Sequence, residues 1–279
     1  MIIAVILADK LTPLVQNLPP FLLPLNDETS LERVARVVLR GPFGGTVVAA
    51  HSKYQAEVRD ALSGFAVQHV TLPAAAAPGT VGALAPALKF AEDFRARWER
   101  ARAAAAARFN DDDDDDEEDD DDGAAREAKT PAPAPASQRG KKRTGAAAKD
   151  WARHSKNADV KVRGLARSFE RDGIMLFRAE RPLIKPELQA QMVEAFARES
   201  AEKKDKARPF AQAVHAGIRA YPILFDRNVI PEISRVAAGT KFDDWLLGQL
   251  ARTQDVQVQD AGAVESLDSE SDYERLQEL

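Results

Sequence analysis

The sequence predicts an α/β protein with a doubly wound, mainly parallel sheet and helices on both faces. Three observations carry this prediction. Short apolar runs alternate with amphipathic helical stretches, the signature of strand–crossover–strand units. The first run, Ile2–Ala8 (IIAVILA), is continuously apolar, as a strand buried on both faces should be. Capping and stop residues fall between the runs, where helices should begin and end.

Taken in order, the strand at 2–8 leads into the loop 9–21 (DKLTPLVQNLPPF). That loop carries no glycine, but Pro13, Pro19 and Pro20. A phosphate-cradling loop relies on glycine for φ > 0 and for close backbone approach. Proline instead fixes φ and removes an N–H donor. The chain therefore opens like a nucleotide fold without the usual phosphate-loop chemistry. LLPL follows at 22–25, and Thr29 or Ser30 caps a helix through Leu39 with Gly41 as its stop. A strand is predicted at 45–50, then a helix over 53–63, capped by Ser52 and stopped at Gly64. A strand at 66–72 and a helix from Thr80 to Ala107, interrupted by Pro86, come next. Further strands are predicted at 173–178, 211–216, 221–225 and 255–259. Helices are predicted at 147–171, 186–203, 229–238 and 240–251, with a closing helix at 268–279.

Composition narrows the chemistry. The 279 residues include no cysteine, which excludes disulfides, thiolate metal sites and a cysteine nucleophile. No apolar run approaches the roughly 20 residues of a membrane span, and the N-terminal strand lacks a basic n-region. No membrane association and a cytoplasmic location are the expectation. His51, His69, His154 and His215 are scattered without ligand spacing, and no Ser-His-acid constellation is suggested. Charge is segregated: removing the twelve acidic residues Asp111–Asp122 turns the net charge from −5 to +7. Much of that excess lies at Arg139–Lys161. Residues 108–148 are low-complexity and predicted disordered, because they offer too little apolar surface to offset chain entropy. They sit in an inserted arm, 95–165, that interrupts a single domain spanning 1–279. The arm is either a tolerated surface loop or a charged element. In the second case, 111–122 binds a basic protein partner or folds onto its own basic flank. Lys141–Arg143 lacks interleaved aromatics and neighbours a polyanion, which argues against nucleic acid.

In sheets of this kind ligands bind beyond the carboxyl ends of the strands. The segments predicted there are 8–24, 73–84, 178–186, 215–222 and 260–272. Five motifs occur in that order: LLPL at 22–25, GTVGALAPAL at 79–88, IMLFRAERPLIKPEL at 174–188, GIRAYPILFDRNVIPE at 217–232 and SLDSESDYERL at 266–276. Together they resemble the molybdenum-cofactor guanylyl- and cytidylyltransferases, nucleotidyltransferases with a Rossmann-like nucleotide-diphospho-sugar transferase fold. The resemblance covers nearly all of the chain outside 95–165.

What that resemblance implies is transfer of a nucleotide from CTP or GTP to a phosphorylated acceptor, with Mg²⁺ if the protein is active. Glu180 takes the place of the family's metal-binding aspartate, and Asp268 that of an acid in the closing motif. Their alternatives are a solvated loop acid and a helix N-cap, respectively. Lys10, Gly79, Gly217 and Arg219 fall at nucleotide- or acceptor-facing positions. Lys10 and Arg219 are alternatively surface charges. The departures are specific: the glycine-rich loop is gone, Pro20 stands near the phosphate-binding lysine, and Ala220-Tyr221 replaces the family's Gly-His. Tyr221 reads as a packing aromatic. The expectation is weakened or lost transfer, the alternative a non-catalytic nucleotide-binding or regulatory protein on the same fold.

Overall fold

In the computed structural model, residues 1–111, 171–203 and 206–278 are described. The predicted helix at 147–171 (Arg171 apart), His154, Arg139–Lys161 and the acidic run beyond Asp111 lie outside them. Contacts divide the chain into two units, Met1–Arg95 with Gly164–Leu279, and Ala96–Arg163. Among the described residues, the first unit holds all the strands. The described part of the second is the distal portion of one helix, where Arg102 lies over the Trp98 ring at 5.4 Å.

The chain runs β1 (Ile2–Ala8), β2 (Pro24–Leu25), β3 (Glu28–Thr29), α1 (Ser30–Val38), β4 (Gly45–His51), α2 (Gln55–Ala61), β5 (Gln68–Leu72) and α3 (Val81–Asp111). It continues through β6 (Gly173–Arg178), α4 (Pro186–Lys203), β7 (Phe210–His215), β8 (Ile218–Asp226), α5 (Ile230–Ile233), α6 (Phe242–Leu247), β9 (Thr253–Gln257) and α7 (Glu270–Gln277). Seven strands form one sheet in the order β5-β4-β1-β6-β8-β7-β9. The pairs β4–β5, β1–β4, β1–β6 and β7–β9 are parallel. β8 runs antiparallel to both its neighbours. The reason is local: Ala216 and Gly217, at φ 49° and 82°, form a two-residue hairpin loop between β7 and β8.

β1 shows how the sheet is covered. Ile2, Ala4, Ile6 and Ala8 point into a core with α1, α2 and α4, while Ile3, Val5 and Leu7 face α3, α5 and α6. Period-two alternation on a strand buried on both faces gives each helical layer its own apolar set. A smaller cluster joins Leu23 and Leu25 of LLPL to Leu267, Tyr273 and Leu276 beside α7. The motif therefore serves to dock the closing helix.

Three local expectations are corrected. Ser52 is not a cap: it starts a 3-10 turn, Ser52–Tyr54, capped by the His51 ring, which accepts from the Lys53 amide. The helices predicted at 229–238 and 240–251 shrink to four and six residues. The gap between them holds Gly239, and Gly248 ends the second. The loop after β1 turns without glycine, because Gln16 and Asn17 adopt φ 55° and 59° and Leu18 N–H closes on the Val15 carbonyl at 2.9 Å.

Candidate functional site

β1 and β6 are adjacent and parallel, yet the chain leaves β1 for β4 on one side and later returns to β6 on the other. Their carboxyl ends therefore flank a topological switch point, where open α/β sheets form their ligand crevice. A pocket of about 460 Å³ lies here. Of the predicted residues, Lys10, Gly79, Glu180 and Asp268 line it.

The floor of the pocket is an ion pair that the sequence reading did not single out. Asp9 follows β1 directly and is 2% exposed. Its Oδ1 accepts from Arg178 Nη1 at 2.9 Å, and its Oδ2 accepts from the Gly79 amide at 2.7 Å. Arg178 is the last residue of β6 and lies over the Tyr221 ring at 5.1 Å. Tyr221 in turn donates its hydroxyl to Asp243 Oδ1 at 2.5 Å, and Asp243 Oδ2 stands 3.7 Å from Arg178 Nη2. Tyr221 is thus a packing aromatic whose hydroxyl also fixes Asp243. Burial disfavours the Arg178 charge, but the oxygens of Tyr221, Glu180, Asp9 and Asp243 outweigh it and keep the guanidinium ionised.

Glu180 is not a solvated loop acid. It is buried, its backbone carbonyl accepts from Leu267 N–H at 2.9 Å, and its Oε2 has no hydrogen-bond partner. Burial raises its pKa above the ordinary carboxylate value; Arg178 opposes that shift and Asp9 adds to it. Asp268 is not the N-cap of α7 either. Ser269 is, in a capping box with Asp272. Asp268 instead pairs with Lys10, whose ammonium also donates to the Leu267 carbonyl at 3.1 Å. Lys10 is therefore a tether between the first loop and the closing motif.

Gly79, at φ 72°, leads into α3. The first amides of that helix are already bonded: Val81 N–H to the Thr240 carbonyl and Gly82 N–H to the Ala238 carbonyl, both at 2.9 Å. The helix start that the resemblance places near a nucleotide is closed by the α5–α6 link.

Gly217 and Arg219 do not join this pocket. Gly217 is the exposed tip of the β7–β8 hairpin, with open space where a Cβ would stand. Arg219 grips Asp255 of β9 with contacts of 2.8 and 3.1 Å from Nη2. It lines a second cavity of about 230 Å³, which shares Arg181, Tyr221 and Asp243 with the first.

A divalent cation needs several hard oxygen ligands with free lone pairs. The donor set here does not fit one. Both Asp9 oxygens are bonded, one oxygen each of Asp268 and Asp243 is engaged, by Lys10 and by the Tyr221 hydroxyl, and Glu180 keeps a buried oxygen with no partner. Among the described residues, no three His, Asp or Glu side chains gather as a metal-ligand group. Nor is any helix among them long and apolar enough to cross a membrane.

No protein-family model and no curated protein sequence matches the chain. Solved structures do. A nucleotidyl transferase from Methanothermobacter, Mth528, aligns with a TM-score of 0.55 at 14% identity, over 100% of this chain and 96% of its own. Rv0371c from Mycobacterium tuberculosis, solved in complex with manganese, aligns at 0.54 and 17% identity, over 99% and 98%. A CMP:2-keto-3-deoxy-manno-octonic acid synthetase complexed with CTP aligns at 0.52 and 12% identity, over 99% and 97%. At such identities the likeness establishes the fold alone, which the chain shares with these three proteins.

Proposed function

We propose that this protein binds a nucleoside triphosphate in the pocket at the ends of β1 and β6, and that nucleotidyl transfer to a phosphorylated acceptor is weakened or lost. The observation that carries the reading is convergence. Lys10, Gly79, Glu180 and Asp268 come from four separate loops and meet in one pocket at the switch point. Its volume falls in the usual range for small-ligand sites. The manganese and CTP complexes of proteins with this fold support a nucleotide, and a divalent metal with it, as the ligands to test.

The weakening rests on the same geometry. Transfer of this type depends on positioning the triphosphate and neutralising its charge. In this pocket the α3 amides are closed, the β1 loop offers no glycine cradle, and the carboxylates do not assemble around a metal. A non-catalytic nucleotide-binding or regulatory protein is the second reading, favoured by the Asp9 carboxylate being fully engaged by its own fold.

The deciding experiment titrates CTP, GTP, ATP and UTP, with Mg²⁺ and with Mn²⁺, against thermal stability. A ligand of the native state raises the unfolding midpoint by mass action. A rise with at least one nucleotide is the expected result. No shift at millimolar concentration for any of them sinks both readings. Pyrophosphate release, with Glu180→Ala as control, then separates transfer from binding alone.

A further inference from the structure

We infer that Arg178 is the phosphate-holding cation of this pocket and that phosphate binds there without a divalent metal. The inference rests on the proposed nucleotide reading and adds which group meets the phosphate. Its ground is the mismatch between the donor set and a metal. Asp9 is spent on the Arg178 guanidinium and an amide, Asp268 is paired with Lys10, and among the described residues the acids do not gather as a metal-ligand group.

The geometry presents that guanidinium as a fixed fork. Asp9 takes Nη1 at 2.9 Å, and the Tyr221 ring supports the group at 5.1 Å. The Nη2 side is less engaged: its nearest acid, Asp243, stands 3.7 Å away, is largely exposed and is held instead by the Tyr221 hydroxyl. Gly79 keeps that side open. A Cβ built on Gly79 would come within 3.6 Å of Nη2, in the space a ligand oxygen needs. With Nη1 held by Asp9, Nη2 is left to donate to a phosphate oxygen in a charge-assisted contact of fixed direction. Because the side chain is nearly buried, such contacts form in a medium that screens them little. Arg178 thus brings from the end of β6 the positive charge that the first loop lost when Pro20 came to stand near the lysine position.

Calorimetric titration of the full chain tests this, with CTP, GTP, ATP, UTP and inorganic pyrophosphate as probes, in EDTA and again in excess Mg²⁺. The expected result is an affinity in EDTA within about twofold of that in Mg²⁺, since no shared metal bridges the pair. Tightening by Mg²⁺ of about tenfold or more would overturn the inference while leaving nucleotide binding intact. No binding in either buffer removes the nucleotide reading and the inference with it. Arg178→Lys keeps the charge but loses the fork, and should weaken binding in EDTA about tenfold. Unchanged affinity in a folded Arg178→Lys protein, checked by circular dichroism, also counts against the assignment.

Discussion

At the residue scale, the buried Asp9–Arg178 pair sets the cost of disturbing the pocket floor. Removing one member of a buried pair strands the other charge, at a cost of about 3 kcal/mol or more. Asp9→Ala should therefore lower the unfolding free energy by about that amount in urea denaturation. Combining Asp9→Leu with Arg178→Met should recover part of the loss, because neither member of the pair is then stranded, while buried Glu180 loses its cation and the Gly79 amide its acceptor. A double variant as unstable as Asp9→Ala would show that packing, not charge, sets the cost. Glu199 gives a second residue-scale test. It accepts from Arg208 Nε at 2.8 Å and Nη2 at 3.1 Å and from Lys203, and those bonds hold its pKa at about 2. A carboxylate depressed in the folded state adds stability that is complete above the unfolded value near 4.5 and is lost as pH falls toward 2. Glu199→Gln should lower stability at neutral pH and flatten the acid limb between those values. An unaltered acid limb would show that the Arg208 contact contributes nothing in solution.

At the element scale, cap chemistry decides where helices begin. The Thr29 hydroxyl accepts from the Glu32 amide, and Glu32 returns to the Thr29 amide at 2.7 Å. The cap was legible only as Thr29 or Ser30 before an apolar-periodic run; the structure selects Thr29 and adds Glu32. Thr29→Ala should cost about 1 kcal/mol in chemical denaturation, with little change in ligand binding. The seven strands of the main sheet were legible for a similar reason, because apolar runs bounded by polar segments survive without tertiary context. β2 and β3 were not, since two residues apiece carry no periodicity. The start of α3 was only half legible. Gly79 stood out, but its role depends on Ala238 and Thr240, whose carbonyls arrive from far along the chain to bond the first amides. Gly82 shows how close that approach is: a Cβ there would meet the Ala238 carbonyl oxygen at 2.8 Å.

At the scale of the whole molecule, the rule that ligands sit beyond strand ends found the pocket, and the resemblance supplied four of its residues. Asp9 and Arg178 were missed because each reads as an ordinary boundary residue. The signal was present nonetheless. Asp9 is a charge placed directly after a fully apolar strand, Arg178 ends another, and parallel neighbours bring two such ends together. Arg219, read as either ligand-facing or a hairpin surface charge, lies outside this pocket and pairs across the sheet. Its motif pointed to a ligand, but its partner Asp255 lies on β9, and no local pattern in the sequence announces that β9 pairs with β7.

That partner has a consequence of its own. Among the described residues, β9 is an outer strand of the sheet, bonded to β7 along one side only. An unpaired strand edge is a template on which another chain can add, and charge on the edge is a standard defence. Asp255 places a charge on that edge strand, held by Arg219 reaching across β7 from β8. Asp255→Val should leave nucleotide affinity unchanged and make the protein associate at high concentration, seen as rising light scattering and lower solubility. A variant as soluble as the parent would mean the edge is guarded by something else. On this view Asp255, held in place by the hairpin arginine, guards the outer strand.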